Sequence, residues 1–569
     1  MERIWLKHYP PGVPHDVDLS QYSSLVDLID HGFQEYASRN AYAYMDRFFT
    51  FGEIDRYSAA FASWLQSQGL ARGARVAIMM PNVVQYPIAL AGVLRAGYVV
   101  VNVNPLYTPR ELEHQLKDSG AEAIVILENF AATLQQVIAR TAVKKVIIAS
   151  LGEMLGFPKS AIVDFAVRRL KKLVPGYSLP GHVKFTETLD AGARRKLEPV
   201  AVTQRDIAFL QYTGGTTGVS KGAALTHGNL VANVLQMEAW IVPALHDTSR
   251  GPVPTQFVYI CALPLYHVFA LVVNCLFGMR IGTLNVLIPN PRDIAGFVKE
   301  LGKYKFNVLP GVNTLYNALL GSEDFRKLDF ASLRVANGGG MAVQKATSEK
   351  WLALTGVPII EGYGLSETSP VATCNPILNR EYNGTIGLPF PNTEIQILDD
   401  AGQVVPLGQP GEIAIRGPQV MAGYWNRPDE TAKVMTPDGF FKSGDIGIMD
   451  ERGYIRIVDR KKDMILVSGF NVYPNEIEQV ITTHPGVVEC AAIGVPDERS
   501  GEAVKVFVVR KDPALTVEQL MEFCKENFTG YKKPKYIEFR DELPKSNVGK
   551  ILRRELRDAA VAAAHARSA

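Results

Sequence analysis

The sequence predicts an α/β protein, with a large N-terminal domain of two doubly wound sheets plus a β-rich subdomain, and a small α+β C-terminal domain. Short, almost wholly apolar strands alternate with helical segments through residue 361. This alternation is typical of parallel sheets that helices cover on both faces. Beyond residue 389, short strands separated by Gly and Pro turns dominate, and a third pattern follows residue 461. The 569 residues are also too many for a single hydrophobic core.

The individual elements follow in chain order. Thr50 and Glu53 form a capping-box pattern that predicts a helix to about residue 68, and Thr108 with Glu111 predicts a second helix start. Another helix is predicted over residues 85–96. In the N-terminal part, the predicted strands are 75–80, 98–103, 123–127, 257–263, 282–288, 306–309, 333–337 and 357–361. In the rest of the chain, the predicted strands are 394–398, 411–417, 454–458, 490–495, 504–509 and 536–539, with a helix from Thr516 and a frayed Ala-rich helix from residue 559.

Composition excludes several classes of protein. The net charge of +2 gives no electrostatic reason to expect nucleic acid binding. The five cysteines lie far apart without a C-x-x-C pair, which argues against a disulfide framework or a zinc site. This cysteine usage fits a reducing compartment, and no apolar run follows the N-terminal charges, so we expect a cytoplasmic protein without a signal peptide.

Two segments raise the question of a membrane. Residues 259–279 carry no Asp, Glu, Lys or Arg and are long enough for a span, but Pro264, His267 and Asn274 favour a buried strand, loop and helix. Residues 161–174 place apolar side chains at helical spacing beside a cluster of Arg and Lys. That helix fits an anionic membrane surface and a solvated basic face equally well. The sequence therefore leaves open both peripheral contact with the inner face of the cytoplasmic membrane and homodimer formation.

Residues 212–222 are unusually rich in Gly, Thr and Ser and contain Lys221. An apolar run over residues 207–210 precedes it and an amphipathic pattern follows from Asn229, so we read the region as a strand, a loop and a helix. Such a loop can turn backbone N–H groups toward a polyphosphate, although its spacing does not match a Walker A loop. A plain flexible linker is the alternative. Two further Gly loops, residues 338–340 and 362–364, follow predicted strands, and the three together favour one nucleotide site at the carboxyl ends of the strands.

Five motifs, in this order, carry a family resemblance: residues 212–222, 362–368, 443–445, 459–462 and 544–550. They resemble the adenylate-forming (AMP-binding) superfamily of acyl-CoA synthetases, luciferases and peptide-synthetase adenylation domains. Within it, residues 438–478 are similar to the signature of the bacterial long-chain fatty-acid–CoA ligases. Phe440 replaces the usual Trp, and Ser366 and Ser443 replace Thr, which preserves an aromatic ring and hydroxyl groups.

The resemblance implies activation of long-chain fatty acids through an acyl-adenylate, with ATP, Mg²⁺ and CoA and with release of AMP and pyrophosphate. It implies an adenylation domain over residues 1–461 and a mobile C-terminal domain over residues 462–569, with Lys462 as the hinge. A fatty-acyl-AMP ligase, another carboxylate–CoA ligase, or a fatty-acid uptake or binding protein at the inner membrane remain alternatives.

The resemblance also implies roles for individual residues. Lys550 bridges the substrate carboxylate and the α-phosphate, Ser366 contacts the α-phosphate, and Glu367 holds Mg²⁺. The nucleotide contacts are expected from Thr213, Gly214, Gly215, Thr216, Thr217, Lys221, Gly338, Gly339, Gly340, Tyr363, Asp445 and Arg460. The acyl and CoA sites are expected to include His267, Leu271, Ser468, Gly469 and Phe470. Leu271 stands where some relatives carry a gating Trp, so that gate is in doubt.

Overall fold

The computed structural model describes residues 3–213, 220–379, 381–468, 470–497, 499–528, 530–546 and 549–568. The first sixteen strands are β1 Asn40–Tyr44, β2 Arg47–Thr50, β3 Arg75–Met79, β4 Val99–Asn102, β5 Ala123–Leu127, β6 Lys145–Ala149, β7 Val183–Lys184, β8 Ile207–Thr213, β9 Lys221–Thr226, β10 Val258–Cys261, β11 Leu284–Leu287, β12 Val308–Gly311, β13 Val335–Gly338, β14 Ile359–Gly364, β15 Val371–Cys374 and β16 Leu388–Pro389. The remaining strands are β17 Glu394–Leu398, β18 Gly411–Arg416, β19 Gly423–Tyr424, β20 Phe441–Met449, β21 Ile455–Arg460, β22 Ile465–Val467, β23 Phe470–Val472, β24 Val487–Asp497, β25 Gly501–Arg510 and β26 Tyr536–Arg540.

Helices separate most of the central strands. They are α1 Leu25–Glu35, α2 Phe51–Gln66, α3 Gln85–Arg95, α4 Pro109–Ser119, α5 Ala131–Gln135, α6 Lys159–Phe165, α7 Phe185–Gly192, α8 His227–Leu245, α9 Val268–Ala270, α10 Phe277–Ile281, α11 Ile294–Leu301, α12 Asn313–Gly321, α13 Lys345–Thr355, α14 Pro428–Val434, α15 Pro474–Ile481, α16 Val517–Asn527 and α17 Arg553–Ser568. Capping boxes close the N-termini of α2, through Thr50 and Glu53, and of α4, through Thr108 and Glu111, as the sequence predicts.

Two large sheets form the centre of the N-terminal part. One has the order β16-β15-β14-β13-β12-β10-β11-β1-β2, and the other has the order β19-β9-β8-β4-β3-β5-β6-β7. Their central strands run parallel. The largest apolar core unites residues from both sheets and from α1, α2, α3 and α8, among them Val100, Tyr259 and Val234. The predicted pair of doubly wound sheets is therefore confirmed.

Two smaller sheets follow along the chain. The β-rich subdomain is an antiparallel sheet of order β17-β18-β20-β21. The C-terminal sheet has the order β23-β22-β25-β24, and β26 also pairs with β25, in the parallel direction. A separate apolar core beneath this sheet includes Ile477, Val506 and Leu520. The last strand of the subdomain ends at Arg460 and the C-terminal sheet begins at Ile465.

Three sequence-based predictions differ from the structure. One strand was not predicted: β9, which pairs antiparallel with β8, precedes the helix expected from Asn229, and that helix begins at His227 as α8. The run of small residues around Ala223 in β9 lacks the β-branched side chains that are typical of a strand. Pairing with distant strands therefore overrides the low strand propensity of this segment. The predicted helix over residues 161–174 is α-helical only to Phe165 and continues as a short π-helix over Ala166–Leu170. The final helix begins at Arg553, before the predicted residue 559.

Residues 259–279 form the predicted strand, loop and helix. β10 leads into a turn, and α9 continues through a π-helical segment over Leu271–Leu276 into α10. Asn274 is buried and donates to the backbone oxygen of Ile260 on β10, at 3.2 Å. Within the described ranges, no helix combines the length and the apolarity that crossing a bilayer requires.

Candidate active site

One cavity of about 990 Å³ lies where the carboxyl ends of the central strands of both large sheets meet. β4 and β8 contribute Asn102 and Thr213, and β13 and β14 contribute Gly338 and Tyr363. Residues of the C-terminal part also line one side of it, and they are Lys545, Ser546, Lys550, Ile551 and Leu552. The cavity therefore depends on both parts of the chain, at the position where doubly wound sheets bind ligands.

Lys550 reaches this cavity from a tight turn. Lys545 pairs with Ile551 across the turn, and the Ser546 N–H donates to the Lys550 oxygen at 2.7 Å. Gly549 has a φ of +79°, which a residue with a side chain adopts only at a cost. A Cβ at Gly549 would overlap Thr314 Oγ1 on α12. The missing side chain thus lets the turn dock closely against the N-terminal part.

The Lys550 ammonium group is enclosed and lies among other charges. Burial, together with the nearby Arg460 and Lys462, lowers its pKa to about 7, and Asp445 partly opposes this shift. Desolvation and neighbouring cations both disfavour the charged form of a lysine. An anion placed beside Lys550 would therefore draw a proton onto it and form a strong ion pair.

Asp445 connects β20 to the end of β14 and to β21. The Tyr363 hydroxyl donates to Asp445 Oδ2 at 2.7 Å, and Arg460 Nε lies 3.1 Å from Asp445 Oδ1. Asp445 and Tyr363 are buried. This arrangement fixes a carboxylate and an arginine beside an aromatic ring at the cavity wall, a suitable set for a ribose, a phosphate and a base.

Ser366 and Glu367 lie in a short 3-10 helix directly after β14. Glu367 is buried, and its Oε1 accepts from the Tyr424 hydroxyl at 2.7 Å. Burial raises the pKa of this carboxyl, and the Tyr424 hydrogen bond partly opposes the rise. A cation in the cavity would stabilise the ionised form of Glu367.

Lys221 begins β9 and points into the same region. Its Nζ lies 2.5 Å from Glu430 Oε2 and 4.9 Å from the centre of the Tyr424 ring. Glu430 also pairs with Lys433 at 2.5 Å. In this state Lys221 has a carboxylate partner, which a phosphate group would have to replace.

The opposite end of the cavity is apolar. Its walls include Met237 and Ile241 from α8, Val268 and Phe269 from α9, and Val273. His267 lines the same cavity, next to Val268 and near Lys550. Burial lowers the pKa of His267 to about 4, with Lys550 adding to the effect, so the imidazole is neutral near pH 7. The Phe269 N–H donates to His267 Nδ1 at 3.4 Å, which leaves Nε2–H as a donor.

Comparisons with known proteins agree with this geometry. Residues 29–425 match the AMP-binding enzyme family, and residues 476–550 match the AMP-binding enzyme C-terminal domain. The chain belongs to the AMP-binding enzyme family. Among curated members, it is 56% identical over 559 residues to the long-chain-fatty-acid–CoA ligase of Yersinia pestis, covering 98% of each chain. The ligase of the same name from Escherichia coli O6:H1 is 54% identical over 561 residues, covering 98% of this chain and 99% of that protein.

Solved structures of family members have the same fold. The anthranilate CoA ligase AuaEII in complex with anthranoyl-AMP superposes with a TM-score of 0.84 at 25% identity, covering 96% of this chain and 100% of that one. ATP-bound MatB from Rhodopseudomonas palustris superposes with a TM-score of 0.78 at 28% identity, covering 94% of this chain and 98% of that one. The predicted fold class, with its small C-terminal domain, is thereby confirmed.

Most of the described candidate residues of this family member meet in the one cavity. Those that line it are Thr213, Lys221, His267, Gly338, Gly339, Gly340, Tyr363, Ser366, Glu367, Arg460, Lys462 and Lys550. Asp445 lies immediately behind the wall, bonded to Tyr363. Gly214, Gly215, Thr216, Thr217 and Gly469 fall outside the described residues.

Three candidates lie away from the cavity. Leu271 is buried in the core and does not contribute to the wall. Ser468 is exposed and has a φ of +52°, and Phe470 stacks on Tyr531 at 4.6 Å between ring centres on the surface of the C-terminal part. The expectation that Ser468 and Phe470 contribute to a CoA site therefore requires another orientation of the two parts of the chain.

The sequence interpretation missed several residues of the site. Tyr424 lies in β19 and Glu430 lies in α14, and the pairing of β19 with β9 brings both of them to Lys221. Met237 and Ile241 lie on α8, in the amphipathic segment that follows Asn229, and nothing in that pattern distinguishes a pocket-lining side chain from one packed in the core. A polar side chain repeated at helical spacing often indicates a helix that faces a site. A helix that lines an apolar pocket carries no such polar pattern in its sequence.

Proposed function

We propose that this chain is a long-chain fatty-acid–CoA ligase that activates its substrate through an acyl-adenylate. The curated relatives at 54–56% identity carry that name. The observation that carries the proposal is the position of Lys550, between a nucleotide-like polar set and an apolar end of the same cavity. A fatty acid fits there with its chain among Met237 and Val273 and its carboxylate near Lys550.

In the first step, a carboxylate oxygen attacks the α-phosphorus of ATP and pyrophosphate leaves. Both reactants are anionic, so the site has to supply positive charge aimed at the transition state. Lys550 and Arg460 supply it, with Ser366 as a hydroxyl donor. Loss of one such contact typically reduces the rate by about 10²–10³-fold.

His267 contributes a hydrogen bond rather than a charge. Because its pKa of about 4 keeps the ring neutral, Nε2–H can donate to the carboxylate without acting as a base. The carboxylate is already ionised near neutral pH, so the first step requires no proton removal. His267 therefore orients the nucleophile at the boundary between the polar and apolar ends.

The donor chemistry at Glu367 fits Mg²⁺. This ion usually binds one or two carboxylates together with substrate phosphates and water, and Glu367 places one carboxylate at the cavity wall. Glu367 would hold the ion, with Tyr424 orienting the carboxylate. When bound, the ion would neutralise phosphate charge.

The second step needs a different arrangement. The thiol of CoA loses its proton to solvent, the thiolate attacks the acyl carbonyl carbon, the bond to AMP breaks, and AMP leaves while the acyl group becomes a thioester. We propose that residues 462–569 rotate about Lys462, which withdraws Lys550 and brings Ser468, Gly469 and Phe470 toward the cavity. Lys462 lies between the end of β21 at Arg460 and the start of β22 at Ile465, where few residues have to change their backbone angles.

The proposal is tested by the products. Full-length protein with ATP, Mg²⁺, palmitate and CoA should yield palmitoyl-CoA, AMP and pyrophosphate in equal amounts, and ADP with phosphate would overturn it. Acyl-AMP that accumulates in the presence of CoA would instead identify a fatty-acyl-AMP ligase. Fatty-acid uptake that persists in a Lys550→Ala variant would favour the carrier alternative.

A further inference from the structure

We infer that the surface around α6 is a docking site for an anionic lipid bilayer. The 157–173 patch consists of Phe157, Ile162, Phe165, Leu170 and Leu173, all more than half exposed. Phe157 is 90% exposed and Leu170 is 70% exposed. In the described part of the chain, the other large apolar side chains that are more than half exposed are Leu106 and Phe470, which lie far from this segment in sequence. Exposed apolar side chains clustered in one short segment are typical of an interaction site.

The segment is held firmly to the body of the protein by its inner face. Arg168 lies 2.9 Å from Glu128, whose side chain is buried. Asp164 accepts from the Ser150 hydroxyl and from the Gly152 N–H, each at 2.8 Å. Val167 is buried beside them. The apolar tips are thus presented outward by an anchored helix.

The charges around the tips point to the occupant. Arg169, Lys171 and Lys172 are exposed and make no ion pair with the residues that the structure describes. The acidic residue of the segment, Asp164, faces inward. Large apolar side chains flanked by exposed Arg and Lys match the interface between anionic headgroups and acyl chains. A second copy of the chain would place the same cations against each other in a symmetric contact, which disfavours self-association through this patch.

The patch also lies on the edge of the sheet that carries the cavity. β4, β3, β5 and β6 are parallel neighbours, and the residues bonded to Asp164 follow β6 directly. At about 4.8 Å between strands, β6 lies roughly 15 Å from β4, which reaches the cavity. A protein docked by this patch would hold its active-site edge near the membrane. Only this benefit rests on the proposed function, because lipid binding itself does not depend on the reaction.

Vesicle flotation of the full-length protein tests the inference. Binding to phosphatidylcholine vesicles should increase strongly when phosphatidylglycerol is included and should fall in high salt. Phe165→Ser with Leu170→Ser should lower the partition coefficient at least ~10-fold. Lys171→Glu with Lys172→Glu should lower it at least ~25-fold, since each basic side chain near the surface contributes about fivefold.

Matched variants separate the patch from general surface effects. Arg195→Glu with Lys196→Glu reverses two adjacent exposed cations outside the patch, and Val404→Ser removes an exposed apolar side chain elsewhere. Both should bind vesicles within twofold of the unmodified protein. Circular dichroism and ligase turnover on detergent-dispersed palmitate should be unchanged in every variant. Equal binding to neutral and anionic vesicles, or equal loss in control and patch variants, would overturn the inference. Absent turnover with intact binding would count against the proposed ligase alone.

Discussion

Gly549→Ala should selectively disable the first half-reaction, because it interferes with the docking of the Lys550 turn. The substitution has two costs. A side chain at a φ of +79° costs about 1–2 kcal/mol, and this cost applies wherever the turn persists. The overlap of the new Cβ with Thr314 Oγ1 exists only in the docked orientation. Overpacking of this kind costs about 1–3 kcal/mol, which corresponds to roughly 5–150-fold in the equilibrium constant between the docked and undocked orientations and sets the largest loss of docked protein.

Separate assays of the two half-reactions measure this effect. ATP–pyrophosphate exchange with palmitate should fall by up to that factor in Gly549→Ala. Conversion of supplied palmitoyl-AMP and CoA to palmitoyl-CoA should change much less. Thr314→Ala removes the overlapping oxygen and leaves the Cβ of residue 314 at 3.5 Å, an ordinary contact, so the double variant should regain most of the exchange activity. Equal losses in both half-reactions, or no recovery in the double variant, would refute the docking argument.

Three further predictions concern charge and hinge. The pKa of Lys550 is about 7 in the free protein, and bound anions raise it, so ATP and palmitate should bind with uptake of protons. This uptake should approach one proton at pH 8 and vanish near pH 6, as measured by calorimetry in buffers of different ionisation enthalpy. An unchanged proton uptake in Lys550→Arg would exclude this lysine as its source. Asp445→Asn should weaken ATP binding roughly 10–150-fold in titration calorimetry, because Arg460 and the Tyr363 hydroxyl lose a charged partner; an affinity within twofold would contradict the role of Asp445. Lys462→Pro should slow thioester formation more than adenylation, and an equal loss of both rates would argue against a hinge at this residue.

Sequence reasoning predicted the elements whose local pattern and tertiary role agree. β3, β4 and β5 are buried on both faces and therefore appear as apolar runs, and the two capping boxes at Thr50 and Thr108 are formed as expected. The predicted Gly loops lie at the cavity because parallel strands end at a common edge, although Gly338 is the last residue of β13 and residues 362–364 are the end of β14 itself. For such elements, the local sequence pattern is sufficient to predict both the secondary structure and the position in the fold.

The features that escaped prediction depend on distant pairing. β9 is rich in Ala and is held as a strand by β8 on one side and by the two-residue strand β19 on the other. β19 has too few residues to show any periodicity, yet it positions Tyr424 against Glu367. The Lys221–Glu430 pair joins residues that are 209 positions apart. No window of sequence contains these contacts, because they arise only when the sheets assemble.

The central claim is that a carboxylate oxygen of the fatty acid bonds to the α-phosphorus of ATP. Palmitate labelled with ¹⁸O in both carboxylate oxygens tests this most directly, with Mg²⁺, ATP and CoA present and mass spectrometry of all products. The acyl-adenylate route predicts one ¹⁸O in AMP, one in palmitoyl-CoA and none in pyrophosphate. AMP without label, or label in inorganic phosphate together with ADP, would contradict it.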